Sequence, residues 1–586
     1  MRNKAVCIFI CVSLIGAVFV VDTYQNAEAQ MIEQWVARYD GPANDMDQAS
    51  DIATDSLGRV YVTGGSAGNT NGMFKKDYTT IAYDSSGNEL WVARYDSPNN
   101  GDDFPTDMVV DSDGNIIITG LAGRNFLSYP LKMCDYTTIK YDSSGNELWV
   151  SVYDHSSKVD LDDQARALVV DSSGNVYVTG MSHEWRLGTD YDFCTVKYDS
   201  DGNQLWVARY NSPGNYTDDA YDIALGSAGN IYVTGRSKCE RYNFDYLTIA
   251  YDTDGNELWT AKYNGPGNGK DEALSIATDA AGNVYITGDS DSEISADPRV
   301  PANKDCTTIK YDRFGNELWV ARYNGPGNFH DYGKKIEVDP SGNIYVAGLC
   351  DEDSWGGSDF LLIKYDSDGN ELWVERYDGP GDYKDRLNDI VIDSDGNVYT
   401  TGQCSVIGSW DDLDYITMAY DSSGNQLWMY SYNGPANSSD ISNAIALDLS
   451  GNVYVTGSSC GSGTGYDAWD YATIKYSPPT KKATIDIDPD TLNLKSRGRW
   501  ITAYINLPEG YDVNDIDIDS ILLNDVIAAE WGDIQGTTLM VKFDRSEVKD
   551  FIGAPQDSIE LTVTGELVDG TPFEGSDIIR VIEPIK

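Results

Sequence analysis

The segment from Asp359 to Trp373 reads Asp-Phe-Leu-Leu-Ile-Lys-Tyr-Asp-Ser-Asp-Gly-Asn-Glu-Leu-Trp. Two short runs of aromatic, leucine and β-branched residues flank Asp-Ser-Asp-Gly-Asn, a pattern typical of two strands joined by a tight turn in which glycine takes the left-handed conformation. A second such hairpin precedes it at residues 335–348, around Asp-Pro-Ser-Gly-Asn. Together they predict four short antiparallel strands, here named a, b, c and d in chain order.

This four-strand unit recurs along most of the chain. A tryptophan opens strand d in each copy, and the gap between successive tryptophans ranges from 53 residues (Trp206 to Trp259) to 60 residues (Trp259 to Trp319). Four antiparallel strands at a fixed period are typical of a β-propeller blade, and an open linear solenoid is the alternative. We expect the tryptophans to be packing residues of the outer strand. They are Trp35, Trp91, Trp149, Trp206, Trp259, Trp319, Trp373 and Trp428.

The two ends of the array distinguish a ring from an open solenoid. The array begins with a lone strand d at residues 33–39 and ends with strands a, b and c only, near residues 444–447, 452–457 and 470–477. Pairing the orphan strand with the last copy closes a ring and removes two exposed sheet edges. Residues 30–477 therefore predict an all-β, eight-bladed β-propeller closed by an N-terminal strand.

Two elements of the repeat resemble a known family. Val-Tyr-Val-Thr-Gly at residues 176–180 and Asp-Tyr-Thr-Thr-Ile-Lys-Tyr-Asp-Ser-Ser-Gly-Asn-Glu-Leu-Trp at residues 135–149 are similar to the SBBP repeats of bacterial and archaeal β-propeller proteins. The resemblance covers about residues 33–477. It implies a propeller fold and an extracellular setting, and it implies little about activity.

The N-terminal segment has the layout of a secretory signal peptide. Basic Arg2 and Lys4 precede an apolar run at residues 5–21, and Ala27-Glu-Ala29 offers a small-x-small cleavage site. A transmembrane anchor is the alternative, but the run is short of the roughly 20 residues needed to span a bilayer. Residues 1–29 therefore predict export to the medium, the cell surface or the periplasm, with no membrane insertion of the mature chain.

The chain is strongly acidic, with 42 basic and 94 acidic residues and a net charge of −52. Such a surface repels nucleic acid phosphates, so no nucleic acid partner is expected.

The repeat region also holds one cysteine in each of seven copies. Because neighbouring sheets pack about 10 Å apart and a disulfide requires Cα atoms within about 7 Å, equivalent cysteines are poor partners and mostly unpaired, partly buried thiols are expected. They are Cys134, Cys194, Cys239, Cys306, Cys350, Cys404 and Cys460.

A second, smaller region follows the repeats. Residues 478–482 have the composition of a linker, and residues 483–586 again alternate apolar and polar residues. This pattern predicts an immunoglobulin-like β-sandwich with a helical turn at residues 545–552. The region is similar to the C-terminal accessory modules of exported bacterial proteins.

Strand order places the links on two faces of the ring. The a–b and c–d turns share one face and barely change between copies, whereas the b–c loops on the other face differ in length and content. We therefore expect ligand binding on the b–c face, where rigid strands hold variable loops. Aromatic and basic side chains there would stack on sugars or anchor a protein, and the alternative is that they pack the loops onto the ring. The candidates are Trp185, Arg186, Tyr242, Trp355, Trp410, Tyr466 and Trp469.

An aspartate also precedes strand a in every copy. A ring of carboxylates could hold a cation, but a turn side chain that accepts backbone N–H bonds explains a residue present in all eight copies better. The Asp-x-Asp-Gly-Asn turns resemble the front of a calcium loop yet lack its downstream glutamate. We expect no cofactor, with calcium as the one ion in question and its ligands unassigned. The aspartates are Asp47, Asp103, Asp163, Asp218, Asp271, Asp331, Asp385 and Asp440.

Known catalytic motifs are absent from the sequence. The three histidines lie in different copies, and neither a Gly-x-Ser-x-Gly elbow nor a Cys-x-x-Cys-His haem site occurs. The sequence therefore favours a non-enzymatic extracellular binding or surface protein that engages a glycan or protein. The alternative is a carbohydrate-active hydrolase or lyase that uses carboxylates on the same face.

Overall fold

A computed structural model describes most of the chain beyond residue 30. The described residues are 31–43, 45–68, 75–98, 101–124, 134–155, 162–183, 191–213, 215–240, 243–292, 303–351, 357–381, 384–406, 412–461, 469–508, 511–524, 526–568 and 571–582. The predicted signal peptide lies outside them. Among the described residues, strands dominate, and none of the helices combines the length and apolar character of a membrane span.

Eight four-stranded antiparallel sheets, here called blades, make up the repeat region. In chain order their strands are β1 (Ile32–Tyr39); β2 (Asp47–Thr54), β3 (Val60–Ala67), β4 (Lys76–Tyr83), β5 (Glu89–Tyr95); β6 (Asp102–Val110), β7 (Ile116–Arg124), β8 (Asp135–Tyr141), β9 (Glu147–Tyr153); β10 (Asp163–Val170), β11 (Val176–His183), β12 (Tyr191–Tyr198), β13 (Gln204–Tyr210); β14 (Asp218–Leu225), β15 (Ile231–Glu240), β16 (Asn243–Tyr251), β17 (Glu257–Tyr263); β18 (Asp271–Thr278), β19 (Val284–Asp291), β20 (Lys304–Tyr311), β21 (Glu317–Tyr323); β22 (Asp331–Val338), β23 (Ile344–Asp351), β24 (Ser358–Tyr365), β25 (Glu371–Tyr377); β26 (Arg386–Ile392), β27 (Val398–Ser405), β28 (Leu413–Tyr420), β29 (Gln426–Tyr432); and β30 (Asp440–Leu447), β31 (Val453–Cys460), β32 (Trp469–Ser477). Blade 1 is β2–β5, and blades 2 to 7 follow in fours. The predicted all-β class and four-strand unit are confirmed.

The first strand completes the last blade. Strand β1 pairs antiparallel with β32, from Ile32 opposite Ser477 to Tyr39 opposite Tyr471, and the eighth sheet has the order β1-β32-β31-β30. The inner strand a of each blade packs on the inner strands of both neighbours, including β2 on β30. The eight sheets therefore form a closed ring.

The repeated tryptophan joins each blade to the next. The Trp91 ring of blade 1 lies between Tyr61 and Tyr141, with centroid distances of 5.9 and 6.3 Å, and its Nε1 donates a 3.2 Å hydrogen bond to the Ser143 carbonyl in the c–d turn of blade 2. Six other tryptophans make the equivalent bond. The tryptophan and the turn of the following copy therefore form one contact repeated around the ring.

Each inner strand carries a β-bulge. The pairing of β2 with β3 shifts by one residue between Ala49 and Asp51, and all eight a–b pairs shift at the equivalent place. A bulge leaves its extra residue outside the ladder and re-aims the local side chains. The third residue after the repeated aspartate is thereby released from the sheet in every blade.

The C-terminal region forms two sheets around one core. One sheet has the strand order β34-β36-β40-β39, and the other has the order β33-β42-β41-β37-β38. In the second sheet, β33 and β35 both pair parallel to β42. Buried residues of both sheets, such as Ile501, Val541 and Val563, share a single core cluster. The elements are β33 (Lys481–Lys482), β34 (Thr484–Asp488), β35 (Thr491–Asn493), β36 (Trp500–Asn506), a 3₁₀ turn (Val513–Asp515), β37 (Ile516–Leu523), β38 (Ile527–Ala528), β39 (Trp531–Gln535), β40 (Thr538–Asp544), α1 (Arg545–Ile552), β41 (Gln556–Leu567) and β42 (Pro572–Ile582). Helix α1 occupies the segment for which the sequence predicted a helical turn.

Candidate functional site

The two faces of the ring differ in how their links vary. Every a–b and c–d link has five residues, as at residues 84–88, and lies on one face. The b–c links on the other face range from two residues (241–242) to twelve (292–303). Variation in length is therefore concentrated on the b–c face, which also carries the d–a connections.

The eight repeated aspartates lie at the inner edge of this b–c face and are fully buried. Asp103 shows the arrangement: its carboxylate accepts the backbone N–H groups of Ser97 at 2.8 Å and Gly123 at 2.7 Å, which ties the d–a connection to strand b. The other seven also accept an N–H bond from their d–a connection. Burial raises the pKa of Asp103, and likewise of Asp331, to about 6.

In the part of the chain that the structure describes, one of these aspartates meets two further carboxylates at four blade junctions. The trios have ligand oxygens within 4.8 Å of one another, and oxygen donors of this type suit calcium. In two trios a guanidinium already neutralises one member, through Arg38–Asp470 at 2.8 Å and Arg94–Asp77 at 3.2 Å. The trios are Asp40, Asp47 and Asp470; Asp77, Asp96 and Asp103; Asp135, Asp154 and Asp163; and Asp359, Asp378 and Asp385.

The bulge residues of the inner strands form a tier around the ring axis. In three blades the bulge side chain donates a hydrogen bond to a carbonyl of the next inner strand: Thr106 to Ala165 at 3.3 Å, Asn388 to Ser442 at 2.7 Å and Asn443 to Ala49 at 2.7 Å. At this level, neutral polar side chains therefore link neighbouring blades by hydrogen bonds. The tier in blade order is Ser50, Thr106, Arg166, Tyr221, Leu274, Lys334, Asn388 and Asn443.

The next residue of each inner strand forms a second tier that also joins blades. Asp51 accepts the N–H of Met108 in the following blade at 2.7 Å, and Asp107 accepts that of Leu168 at 2.6 Å. Asp222 and Asp389 make the equivalent bonds to blades 5 and 8. The tier in blade order is Asp51, Asp107, Ala167, Asp222, Ser275, Lys335, Asp389 and Ala444.

One lysine breaks the symmetry of this second tier. Lys335 Nζ lies 3.6 Å from Asp389, and about half of its side chain is accessible to solvent within the ring. The Asp389 carboxylate raises the pKa of Lys335 above its usual range, and the charges of Asp222, Asp51 and Asp107 act in the same direction. Since these carboxylates come from blades 1, 2, 4 and 7, the lysine of blade 6 lies near the ring axis.

Asp51 and Asp107 form a carboxyl pair beside this lysine. Burial raises the pKa of both, to about 6 for Asp107, and the charge of Asp107 raises the pKa of Asp51 further. Glu337, two residues after Lys335, is accessible to solvent, and partial desolvation within the ring together with the charge of Asp389 raises its pKa to about 7. The axis thus holds carboxyl groups in both protonation states near neutral pH, which is the requirement for acid–base chemistry.

Blade 4 concentrates cations and aromatic rings on the b–c side. The Arg236 guanidinium lies 4.5 Å from the Phe244 ring centroid, and Arg166 and Arg236 each lie 5.6 Å from the Tyr221 ring. Arg236 is paired with Asp219 at 2.5 Å and also with Glu272. The b–c link of this blade is the two-residue one, and Phe244 lies in the strand that follows it.

The aromatic candidates from the sequence fall mostly in the variable loops. Trp469 begins β32 and its side chain is buried, with 7% exposed. The remaining candidates lie outside the described residues: Trp185, Arg186, Tyr242, Trp355, Trp410 and Tyr466.

Sequence reasoning missed the two axial tiers. The signal was present, because aligning the copies on the repeated aspartate places Arg166 and Lys334, and then Lys335, at positions where other copies have neutral or acidic residues.

The cysteines are more buried than expected. The six described thiols are buried and no disulfide joins them: Cys134, Cys194, Cys306, Cys350, Cys404 and Cys460.

Comparison with known proteins supports the propeller. Residues 433–463 match the SBBP family, described as a β-propeller repeat. An uncharacterised WD repeat-containing protein of Acanthamoeba polyphaga mimivirus is 22% identical over 429 residues, which cover 59% of this chain and 29% of the relative. The regulatory protein FlaEY of Caulobacter vibrioides is 26% identical over 211 residues, or 31% of this chain and 20% of that protein. The chain thus spans less than a third of the length of these curated relatives.

Similar solved structures include a β-propeller domain. The β-propeller domain of the trilobed protease from Pyrococcus furiosus is 11% identical with a TM-score of 0.37, covering 63% of this chain and 93% of that one. An ulvan lyase of polysaccharide lyase family 25 is also 11% identical, with a TM-score of 0.36 and coverage of 74% and 95%. The repeat match, the WD-repeat relative and the ring of four-stranded sheets make this chain a β-propeller repeat protein.

Proposed function

We propose that this protein is a non-enzymatic extracellular binding or surface protein whose b–c face engages a glycan or protein ligand. The observation that carries the proposal is the contrast between the faces: every hairpin link has five residues, whereas the b–c links range from two to twelve. A rigid ring that presents variable loops on one face is an arrangement suited to recognition.

The use of the repeated polar groups supports binding over catalysis. The eight buried aspartates hold backbone turns, and four second-tier aspartates hold the next blade. Side chains committed to backbone hydrogen bonds serve the fold. The residues free to differ between copies are those of the b–c loops and a few axial positions.

The proposal has further parts that extend the sequence predictions. The chain is secreted through a signal peptide at residues 1–29, and residues 30–477 act as an eight-bladed propeller closed by the N-terminal strand. Residues 483–586 act as an immunoglobulin-like accessory module that spaces or attaches the ring. Binding needs no cofactor, and an unchanged melting temperature in chelator would agree with this.

A glycan array probed with the purified chain tests the binding proposal. We expect binding that is reduced by Trp355→Ala and Trp410→Ala, which alter b–c loops. Phe314→Ala is the matched control, because Phe314 is 66% exposed in a c–d turn on the opposite face. Equal loss of binding in the control and the loop variants would contradict a site on the b–c face.

A carbohydrate-active hydrolase or lyase is the second candidate, and the axial carboxyl groups favour it. The pKa of Asp107 is raised to about 6 and that of Glu337 to about 7, so an acid and a base are both available near neutral pH. Product release from a polysaccharide by the wild type, lost in Asp107→Asn, would establish this function. The same result would overturn the non-enzymatic proposal.

A further inference from the structure

We infer that the bulge tier of blades 3 to 6, together with the cation–aromatic array of blade 4, binds the oxyanions of an acidic glycan. The ligand class is a linear polysaccharide that bears carboxylate or sulfate groups. This inference rests on the proposed binding function and assigns it a ligand and a location.

Arg166 is the central observation. Within the described part of the chain it makes no hydrogen bond and no ion pair, and its Nε is buried without a partner. Leaving a charged donor in this state costs more than leaving a neutral one, because the group has lost water without gaining an acceptor. The chain has 94 acidic residues, so an arginine that makes no ion pair with a described carboxylate is unusual in this protein.

Lys334 occupies the equivalent bulge in blade 6 and also makes no ion pair with a described residue. Burial, together with the nearby Arg386, lowers the pKa of Lys334 to about 8, as expected for a cation without a local counter-charge. In blades 2, 7 and 8 the same position holds a neutral side chain that stitches neighbouring strands. At this position Arg166 and Lys334 therefore carry a positive charge that no described carboxylate pairs with, where other blades have a neutral side chain that hydrogen bonds to the next blade.

The neighbouring rings hold the cations in place. Tyr221 lies between Arg166 and Arg236, and Phe244 lies under Arg236 with Lys238 and Lys270 within 6.0 Å of its centroid. Cation–aromatic contact orients a cation without neutralising it, whereas Arg236 and Lys270 are paired with Asp219 and Glu272. Aromatic rings therefore position Arg166 and Lys238, which make no ion pair with a described residue.

The charge of the chain favours a glycan over an acidic protein as the ligand. A folded acidic partner would bring many negative charges close to a chain whose net charge is −52. Charges closer together than the Debye length, about 8 Å at physiological salt, are only weakly screened, so the two surfaces would repel each other. A single polysaccharide strand brings only a few anions, each of which can be met by a cation, so repulsion from the rest of the surface is smaller.

Isothermal titration of the full chain tests the inference with four probes: an oligogalacturonate, a sulfated oligosaccharide, a neutral oligosaccharide of equal length and an oligoglutamate peptide. We expect one or both anionic oligosaccharides to bind, the neutral one to fail, and affinity to fall with salt. The two anionic arms distinguish carboxylate from sulfate. Tighter binding of the peptide, or no binding of either anionic oligosaccharide, would overturn the inference.

Variants locate the site. Arg166→Gln and Lys334→Gln should each weaken binding about tenfold, the loss expected for one charge-assisted hydrogen bond. Arg313→Gln is the matched control, since it removes the same charge from a c–d turn on the opposite face. Arg166→Lys should retain part of the affinity, because it keeps the charge but loses the planar fork.

A purely structural role for Arg166 predicts a different pattern: Arg166→Gln would change the melting temperature while affinity matched that of Arg313→Gln. That result would overturn the inference. If instead a neutral glycan or a protein bound the loop face and Arg166→Gln bound it normally, the proposed function would stand and only its acidic-glycan site would fail.

Discussion

Replacing Gly145 by alanine tests whether the tryptophan contact between blades constrains the turn glycine. Gly145 lies in the c–d turn of blade 2 at φ +82°, and a Cβ built there would lie 2.6 Å from Cδ2 of Trp91 in blade 1. Two costs follow. A non-glycine residue at positive φ costs about 1 kcal/mol, and forcing extra volume against a packed ring costs about 1–3 kcal/mol.

Gly342 provides the matched control. It lies in the a–b turn Asp-Pro-Ser-Gly-Asn at φ +83°, and a Cβ there meets no atom within 4 Å. Gly342→Ala therefore incurs only the backbone cost, about 1 kcal/mol. The difference between the two variants, about 1–3 kcal/mol, isolates the contact with the Trp91 indole.

Urea denaturation of the full chain, followed by circular dichroism, measures both variants. A Trp91→Ala background completes the cycle, since removing the indole should reduce the cost of Gly145→Ala to that of Gly342→Ala. Equal destabilisation by the two glycine variants in the wild-type background would refute the reasoning. So would a cost of Gly145→Ala that is unchanged when Trp91 is absent.

Three further predictions concern ring closure and the axial charges. Deleting residues 32–39 removes the strand that pairs with β32, so amide hydrogen exchange should rise at Trp469–Ser477 before it rises in any other blade. Earlier exchange in another blade would contradict this prediction. Burial and the charge of Asp222 raise the pKa of Asp107 to about 6, above its unfolded value near 3.9, so the stability of the wild type falls as pH rises through the folded pKa. The stability of Asp107→Asn relative to wild type should therefore increase from pH 4 to pH 7, and a constant difference would contradict the raised pKa. Lys335→Met removes the cation that faces four carboxylates, so it should destabilise the protein more at pH 7 than at pH 4, where those carboxylates are protonated. Urea denaturation midpoints at the two pH values measure the loss of stability, and equal losses would contradict the prediction.

The sequence alone determined the strands, the turns and the repeat. These features depend on local chemistry: period-two and β-branched runs specify strands, and Asp-x-x-Gly-Asn specifies a five-residue turn, whatever the rest of the chain does. Even the pairing of β1 with β32, more than 430 residues apart, followed from the sequence, because one orphan strand matched one incomplete copy.

Only the tertiary structure revealed what lies on the axis. Asp51 and Asp107 belong to different copies, yet the charge of Asp107 raises the pKa of Asp51, and the charge of Lys335 from a third copy lowers the pKa of both. It also showed that the Nε of Arg166 is buried without a hydrogen-bond partner and that Arg166 makes no ion pair with a described residue. The physical reason is that electrostatic and hydrogen-bond energies depend on distance through space, and ring closure sets that distance between residues whose separation along the chain carries no information about it.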